Sequence, residues 1–311
     1  MNKINRRRFL NTAILAAGAS ALPEITFAQE TIEKKQISCN QYSWITFYQR
    51  DGKDWFANLD SSLADFSASG LKAYEPGLNN KDEAKKLLPL LKKYKLSMPS
   101  VYVNSSLHEA AEAEKSIQTV MDIAEAISPA GTKIIVTNPN PVKWGGQENK
   151  SDEQLTEQAS NLDKLGAALK KYGMTLAYHT HDVELRAAAR EFHHMMLSTN
   201  PQNVALCLDV HWIYRGSGNS EIALFDIVKL YGKRIAELHL RQSKNGIWQE
   251  TFSDGDIDYQ KLVKMLKEIS VKPNLVLEQC LEETSPKTVD GIEAHKRDLA
   301  VANEVFKDWL K

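Results

Sequence analysis

The stretch Thr175 to His181, TLAYHTH, is an apolar, β-rich run that ends in two histidines and lies between segments of helical spacing at 151–172 and 186–197. Runs of the same kind recur on both sides of it: QISCNQY (36–42), AYE (73–75), SMPSVYV (97–103), KIIVT (133–137), VALCLDV (204–210), IAELHL (235–240) and NLVLEQ (274–279). Further helical segments at 54–68, 81–95, 108–127, 220–231, 258–269 and about 286–310 alternate with them, and Pro89 is expected to kink or break the second of these. Eight strands, each followed by a helix and needing a parallel crossover, point to an α/β fold: a single closed (β/α)8 TIM barrel. An open doubly wound sheet would carry a Gly-rich phosphate turn after its first strand. Here that strand runs into Asn40, Gln41, Tyr42, Ser43 and Trp44.

With 42% hydrophobic and 25% charged residues, the 311-residue chain has an ordinary globular composition and enough length for a substantial core. Its first 28 residues read differently. Lys3, Arg6, Arg7 and Arg8 precede NTAILAAGASAL, a run shorter than the about 20 residues that span a bilayer, and small residues stand three and one before a break after Ala28. Residues 1–28 are expected to be a signal peptide of twin-arginine type, with export to the periplasm and no membrane anchor in the mature form. Residues 29–311 contain no linker and read as one domain. Removing the leader leaves 35 basic against 39 acidic residues, so no basic surplus favours a nucleic-acid partner. Cys39, Cys207 and Cys280 form an odd set in apolar runs, which argues against a disulfide framework. A homodimer is compatible with such a barrel.

In a barrel of this kind, polar side chains at the C-terminal strand ends converge on one mouth. The fifth strand ends with His179 and His181, the sixth with Asp209, the seventh with His239 and the eighth with Glu278. From His179 the steps are 30, 30 and 39 residues, one β/α unit each, so four ligand types can stand at similar depth on adjacent strands. Two imidazoles with two carboxylates suit one divalent ion such as Mn, Zn, Co or Fe. Alternation turns His179 and His181 toward the barrel and Tyr178 and Thr180 toward the helices. His181, nearer the rim, can touch substrate or transfer a proton.

Glu75, Asn40, Trp44, Lys143 with Trp144, and Arg241 with Gln242 are expected around the mouth as substrate contacts. Asp182 and Glu184 lie past the strand end, where a carboxylate can orient an imidazole. The run Asp254 to Asp258 lacks the full spacing of a calcium loop and reads as a turn with Asp258 as helix N-cap.

Together, LAYHTHDVEL, LCLDVHW, ELHLRQ, DGDIDY and LVLEQC resemble the sugar phosphate isomerase/epimerase family with the xylose-isomerase-like barrel, over about residues 36–280. That resemblance implies a divalent metal held from strands five to eight, sugar or polyol substrates, and chemistry at a carbon next to a carbonyl. Asp209, His239 and Glu278 match the family's ligands. His179 stands where many members have a glutamate, one of two opposed glutamates that donate and accept the proton. His239 to Gln242 reads HLRQ where many members read HLKD.

The resemblance therefore implies a metal-dependent isomerase or epimerase that abstracts a proton through Glu278 or His181. Because an exported enzyme meets free sugars, elimination from, or hydration of, 3-keto-glycosides is a rival reading. A non-catalytic periplasmic sugar-binding protein is another. DNA-repair nucleases with this barrel need more metal ligands and a basic face.

Overall fold

The computed structural model describes residues 36–310, so the expected leader lies outside the described residues. Eight short strands are buried along nearly their whole length: β1 (Ser38–Asn40), β2 (Ala73–Glu75), β3 (Ser100–Tyr102), β4 (Ile134–Thr137), β5 (Thr175–Tyr178), β6 (Val204–Asp209), β7 (Ile235–Leu240) and β8 (Asn274–Leu277). All pair in parallel, in the order β2-β1-β8-β7-β6-β5-β4-β3. Bridges between Ala73 and Ser97 and between Gly77 and Tyr102 join the two ends of that order. The (β/α)8 barrel expected from eight strand-helix units is therefore the fold found. Its crossover helices are α1 (Gln41–Arg50), α2 (Leu59–Ala68), α3 (Lys81–Tyr94), α4 (Ala110–Ile127), α5 (Asp152–Leu169), α6 (Arg186–Ser198), α7 (Val210–Gly216), α8 (Glu221–Tyr231), α9 (Tyr259–Glu268) and α10 (Gly291–Val305).

The differences from expectation have local causes. The first strand stops at Asn40 because the Asn40 side chain accepts the Tyr42 N–H at 2.7 Å and starts α1 directly. Trp44 then falls on the inner face of that helix. Its ring stacks on His295 at 4.1 Å and packs against Trp55 and Phe66, so Trp44 is core and not a mouth residue.

Pro89 does not break α3, which runs through it; the proline stands on the exposed face, where water can satisfy the carbonyl it leaves unbonded. The first turn of α6 is irregular, with Ala187, Ala188 and Ala189 all left-handed, a conformation that costs about 1–2 kcal/mol per residue for non-glycine side chains. Asp258 caps α9 as expected, accepting the Lys261 N–H at 2.9 Å. All three cysteines are free and buried. Among the described residues, no helix is long and apolar enough to cross a membrane.

One buried carboxyl makes stability depend on pH. Asp298 on α10 accepts the Phe252 N–H at 2.6 Å, while its Oδ2 has no partner among the described residues. Burial holds its pKa well above the ordinary carboxylate value. A carboxyl raised in the folded state contributes fully below the unfolded pKa of about 4 and loses that contribution as pH climbs toward the folded value. Asp298→Asn should therefore melt at higher temperature than wild type near pH 8, and the gain should vanish near pH 4 in paired thermal melts. A gain that is the same at both pH values would contradict this.

Candidate active site

The ends of β5 to β8 carry the expected cluster. Strand β5 closes at Tyr178, so His179 and His181 stand one and three residues past it. Asp209 ends β6 and caps α7: one carboxylate oxygen accepts the Trp212 N–H at 2.7 Å, leaving Oδ2 3.4 Å from His179 Nε2. His239 is registered beside Asp209 on β7, and Glu278 follows β8 with its N–H bonded to the Leu240 carbonyl at 2.9 Å.

The four side chains are buried, and each offers a ligand atom within 4.8 Å of the others. His179 Nε2, Asp209 Oδ2 and His239 Nδ1 have no hydrogen-bond partner among the described residues. Buried polar atoms left unpaired cost about 1–3 kcal/mol each, so a convergent set needs a partner. A divalent cation fits: the donors are two imidazoles and two carboxylates, and the carboxylates supply the negative charge.

The local electrostatics agree with that fit. Burial opposes charge on His239, yet Cys207, Glu75 and Glu278 outweigh it and lift the imidazole pKa well above its ordinary value. Surroundings that draw a proton this strongly also draw a metal cation. Burial would likewise raise Glu278, but the charges of His239 and Arg241 prevail and hold its carboxyl at about 2. Arg241 donates to Glu278 Oε2 at 2.7 Å and to the Glu278 carbonyl at 2.8 Å, and its guanidinium lies 4.2 Å from the Trp248 ring centre and 5.4 Å from that of Trp212. Cation and ring faces together keep Arg241 charged, buried and fixed.

Below the cluster lies a second polar layer. Glu75, expected at the mouth, sits instead beneath His239, with Oε1 3.1 Å from His239 Nε2. Asn40 and Ser100 donate to its two oxygens at 2.6 and 2.5 Å. Glu237 Oε1 is 3.3 Å from the same imidazole nitrogen, and Glu237 is registered with Asn274 on β8, which donates to it at 2.6 Å. These carboxylates stand at ion-pair distance on the far side of the imidazole, the position of the outer partners of metal-bound histidines, and His239 Nε2 makes no hydrogen bond in geometry to either. Burial and the charge of Glu75 raise Glu237 to about 7. Glu237 is a residue that strand-end reasoning missed, although alternation places it two positions before His239 on the same inward face.

His181 is fixed from behind. The Asn138 amide nitrogen is 3.0 Å from both the His179 carbonyl and Glu184 Oε1, two acceptors that identify it as NH2. The Asn138 oxygen therefore faces His181 Nδ1, 3.2 Å away, and that nitrogen carries the hydrogen. Nε2 is left with a free lone pair. Burial first, then the charge of His179, pushes His181 down to about 3, so the ring is neutral at neutral pH. Glu184 accepts the His181 N–H at 2.7 Å, and burial with the charge of Glu191 raises it to about 7, so it does brace the imidazole loop as expected. Asp182 pairs outward with Arg186 at 3.7 Å.

Above the cluster opens a cavity of about 240 Å³ bordered by Asn40, Tyr42, Tyr102, Trp144, His181 and Glu278. The Trp144 and Trp212 rings stand 5.5 and 5.3 Å from that of His181. Other expected contacts are placed elsewhere. Lys143 is exposed and is not among the residues that line this cavity. Gln242 is buried in loop bracing, bonded to Gln279 and to the Ile257 carbonyl. Asp256 accepts from Ser243, Asn245 and Gly246 and closes a turn. Trp248 comes from a two-stranded hairpin, Ser243–Lys244 with Ile247–Trp248, that no strand-end pattern marks.

Comparison with known proteins agrees with the barrel fold. An inosose dehydratase of Clostridium perfringens is 24% identical over 248 residues, 71% of this chain and 82% of the relative. A sugar phosphate isomerase/epimerase of Parabacteroides distasonis superposes with a TM-score of 0.67 at 16% identity, covering 93% of this chain and all of the other. A 3-keto-D-glucoside 4-epimerase of E. coli superposes at 0.61 with 13% identity, covering 87% and 100% of the two chains. The family model for the xylose isomerase-like TIM barrel matches residues 63–301, three quarters of the chain, and the chain belongs to that family.

Proposed function

We propose that this chain is a carbohydrate isomerase, epimerase or lyase that removes a proton next to a carbonyl of a sugar or keto-sugar, with one divalent metal held by His179, Asp209, His239 and Glu278. The observation that carries the reading is the convergence of four buried ligand atoms, three of them without hydrogen-bond partners, beside a cavity that His181 and Glu278 border. A divalent ion bound there supplies Lewis acidity, polarising a substrate carbonyl and stabilising the oxyanion charge that develops as the proton leaves. The rest is done by the protein's own groups.

His181 Nε2, its lone pair held toward the substrate by the Asn138 contact at Nδ1, takes the proton from the carbon beside the carbonyl. The C–H electron pair moves into a carbon–carbon double bond as the carbonyl π pair shifts to oxygen. Arg241 keeps Glu278 ionised and oriented, which suits holding an ion or a hydroxyl better than removing a proton. None of the residues lining the inner cavity is Lys or Arg, so an unphosphorylated sugar fits better than a sugar phosphate. Export, expected from residues 1–28, would bring the enzyme to such sugars.

One observation favours a lyase over a two-base epimerase. His179, where many members have a second glutamate, is held within the ligand cluster, and Glu278 is ion-paired, leaving His181 as the base free to act. A single base suffices for elimination: the proton goes to His181, the electron pair forms the double bond, and the β-substituent leaves with its bonding pair. The inosose dehydratase relatives and the structural likeness to a keto-glucoside epimerase are consistent with keto-sugar substrates. Metal analysis of the protein purified without chelator tests the centre of this reading. One divalent ion per chain is expected; no bound metal, with no activity restored by Mn, Co or Zn, contradicts it.

A further inference from the structure

The inner cavity is not the end of the mouth. Gln41, Gly77, Tyr102 and Asn104 line both it and a second, larger cavity of about 480 Å³. The second cavity lies on the β2 and β3 side, farther from the ligand cluster; Phe56, Leu59, Leu78 and Leu87 supply apolar surface there, beside Asn79, Glu83 and Lys86. Tyr42, Phe56 and Trp144 are the exposed aromatic residues among the described ones, and all three border this double cavity. An exposed aromatic side chain loses favourable burial, and three gathered along one groove make a surface that a ligand can cover. Elsewhere on the described surface the large exposed hydrophobics are aliphatic.

We infer that the substrate has two parts: a sugar ring that occupies the inner cavity over the ligand cluster, and a largely apolar substituent, an aryl aglycone, that occupies the outer cavity against Phe56 and the leucines. This rests on the sugar-active reading of the inner site and adds the class of group attached to the sugar. The shared residues set the passage. Gly77 adds no side chain at the junction, where a Cβ would stand in ordinary van der Waals contact with the Gln41 amide at 3.4 Å. A free monosaccharide would leave the outer cavity and the Phe56 ring in water.

The test uses the full protein with phenyl and methyl β-D-glucosides, which carry no carbonyl and report binding alone, followed by their 3-keto forms. Calorimetry is expected to give the phenyl glucoside about tenfold tighter binding than the methyl glucoside, the size that burying one ring against apolar walls supports. In Phe56→Ala that ratio should shrink to within about twofold, and the phenyl-to-methyl ratio of kcat/KM for the keto forms should shrink with it. Equal affinity in wild type, including no measurable binding of either glucoside, overturns the inference, and so does a ratio that survives Phe56→Ala. Failure of the underlying reading is distinct: the phenyl preference in binding would remain while neither keto form is turned over.

Discussion

His181→Gln lowers kcat/KM toward a keto-sugar substrate by about 100- to 10,000-fold, the range that a positioned general base contributes, while metal content and melting temperature stay close to wild type. The expectation follows from the tautomer. Asn138 takes up the hydrogen on Nδ1, so Nε2 is the free nitrogen, and burial keeps the ring neutral with that lone pair available. Glutamine at this position keeps a polar side chain but offers no basic nitrogen. Steady-state kinetics beside metal analysis separates the possibilities. A loss of rate with full metal content assigns proton transfer to His181, whereas a parallel loss of both would make it a ligand. A variant within tenfold of wild type would remove it from the mechanism.

Asp209→Asn is expected to abolish stoichiometric metal binding, weakening affinity by more than the about 10- to 100-fold typical of residues that only orient a ligand, and to take turnover with it. This substitution suits the test because Asp209 also caps α7 through Trp212, at 2.7 Å. Asparagine caps as well as aspartate, whereas losing a cap costs about 1 kcal/mol, so the change removes the charge without dismantling the helix start. Apo wild type and apo variant should therefore melt alike, and only the wild type should gain stability when Mn, Co or Zn is added. Wild-type metal content in the variant would contradict the ligand assignment.

Most of the barrel is legible in the sequence because each strand is a short apolar run, and parallel strands buried on both faces have that composition. Where a strand stops is less legible. Asn40 and Asp209 each turn a strand into a helix by bonding an N–H two or three residues on, a local event that hydrophobic pattern does not report. The ligand cluster is legible for a related reason: His179, Asp209, His239 and Glu278 stand at strand ends one β/α unit apart, and the fold brings such positions together.

Side chains whose role depends on phase or on distant contacts are harder to place. Trp44 follows a strand end, yet the phase of α1 turns it into the core against His295, while Tyr42 two residues earlier faces the cavity. Glu75 does point into the barrel, one layer too deep to meet substrate. Arg241 owes its fixed position to Trp212 and Trp248, and Trp248 arrives on a hairpin that only the folded chain brings near.

The proposed chemistry begins with removal of a proton beside a carbonyl, and proton NMR in D2O observes that event directly. The metal-loaded enzyme is incubated with aldoses, ketoses and 3-keto-glycosides, and the signal of the hydrogen on the carbon next to the carbonyl is followed in recovered substrate and in product. Loss of that signal is expected for at least one substrate class, and none in His181→Gln over the same interval. Retention of the signal in all three classes with metal-loaded wild type would contradict it.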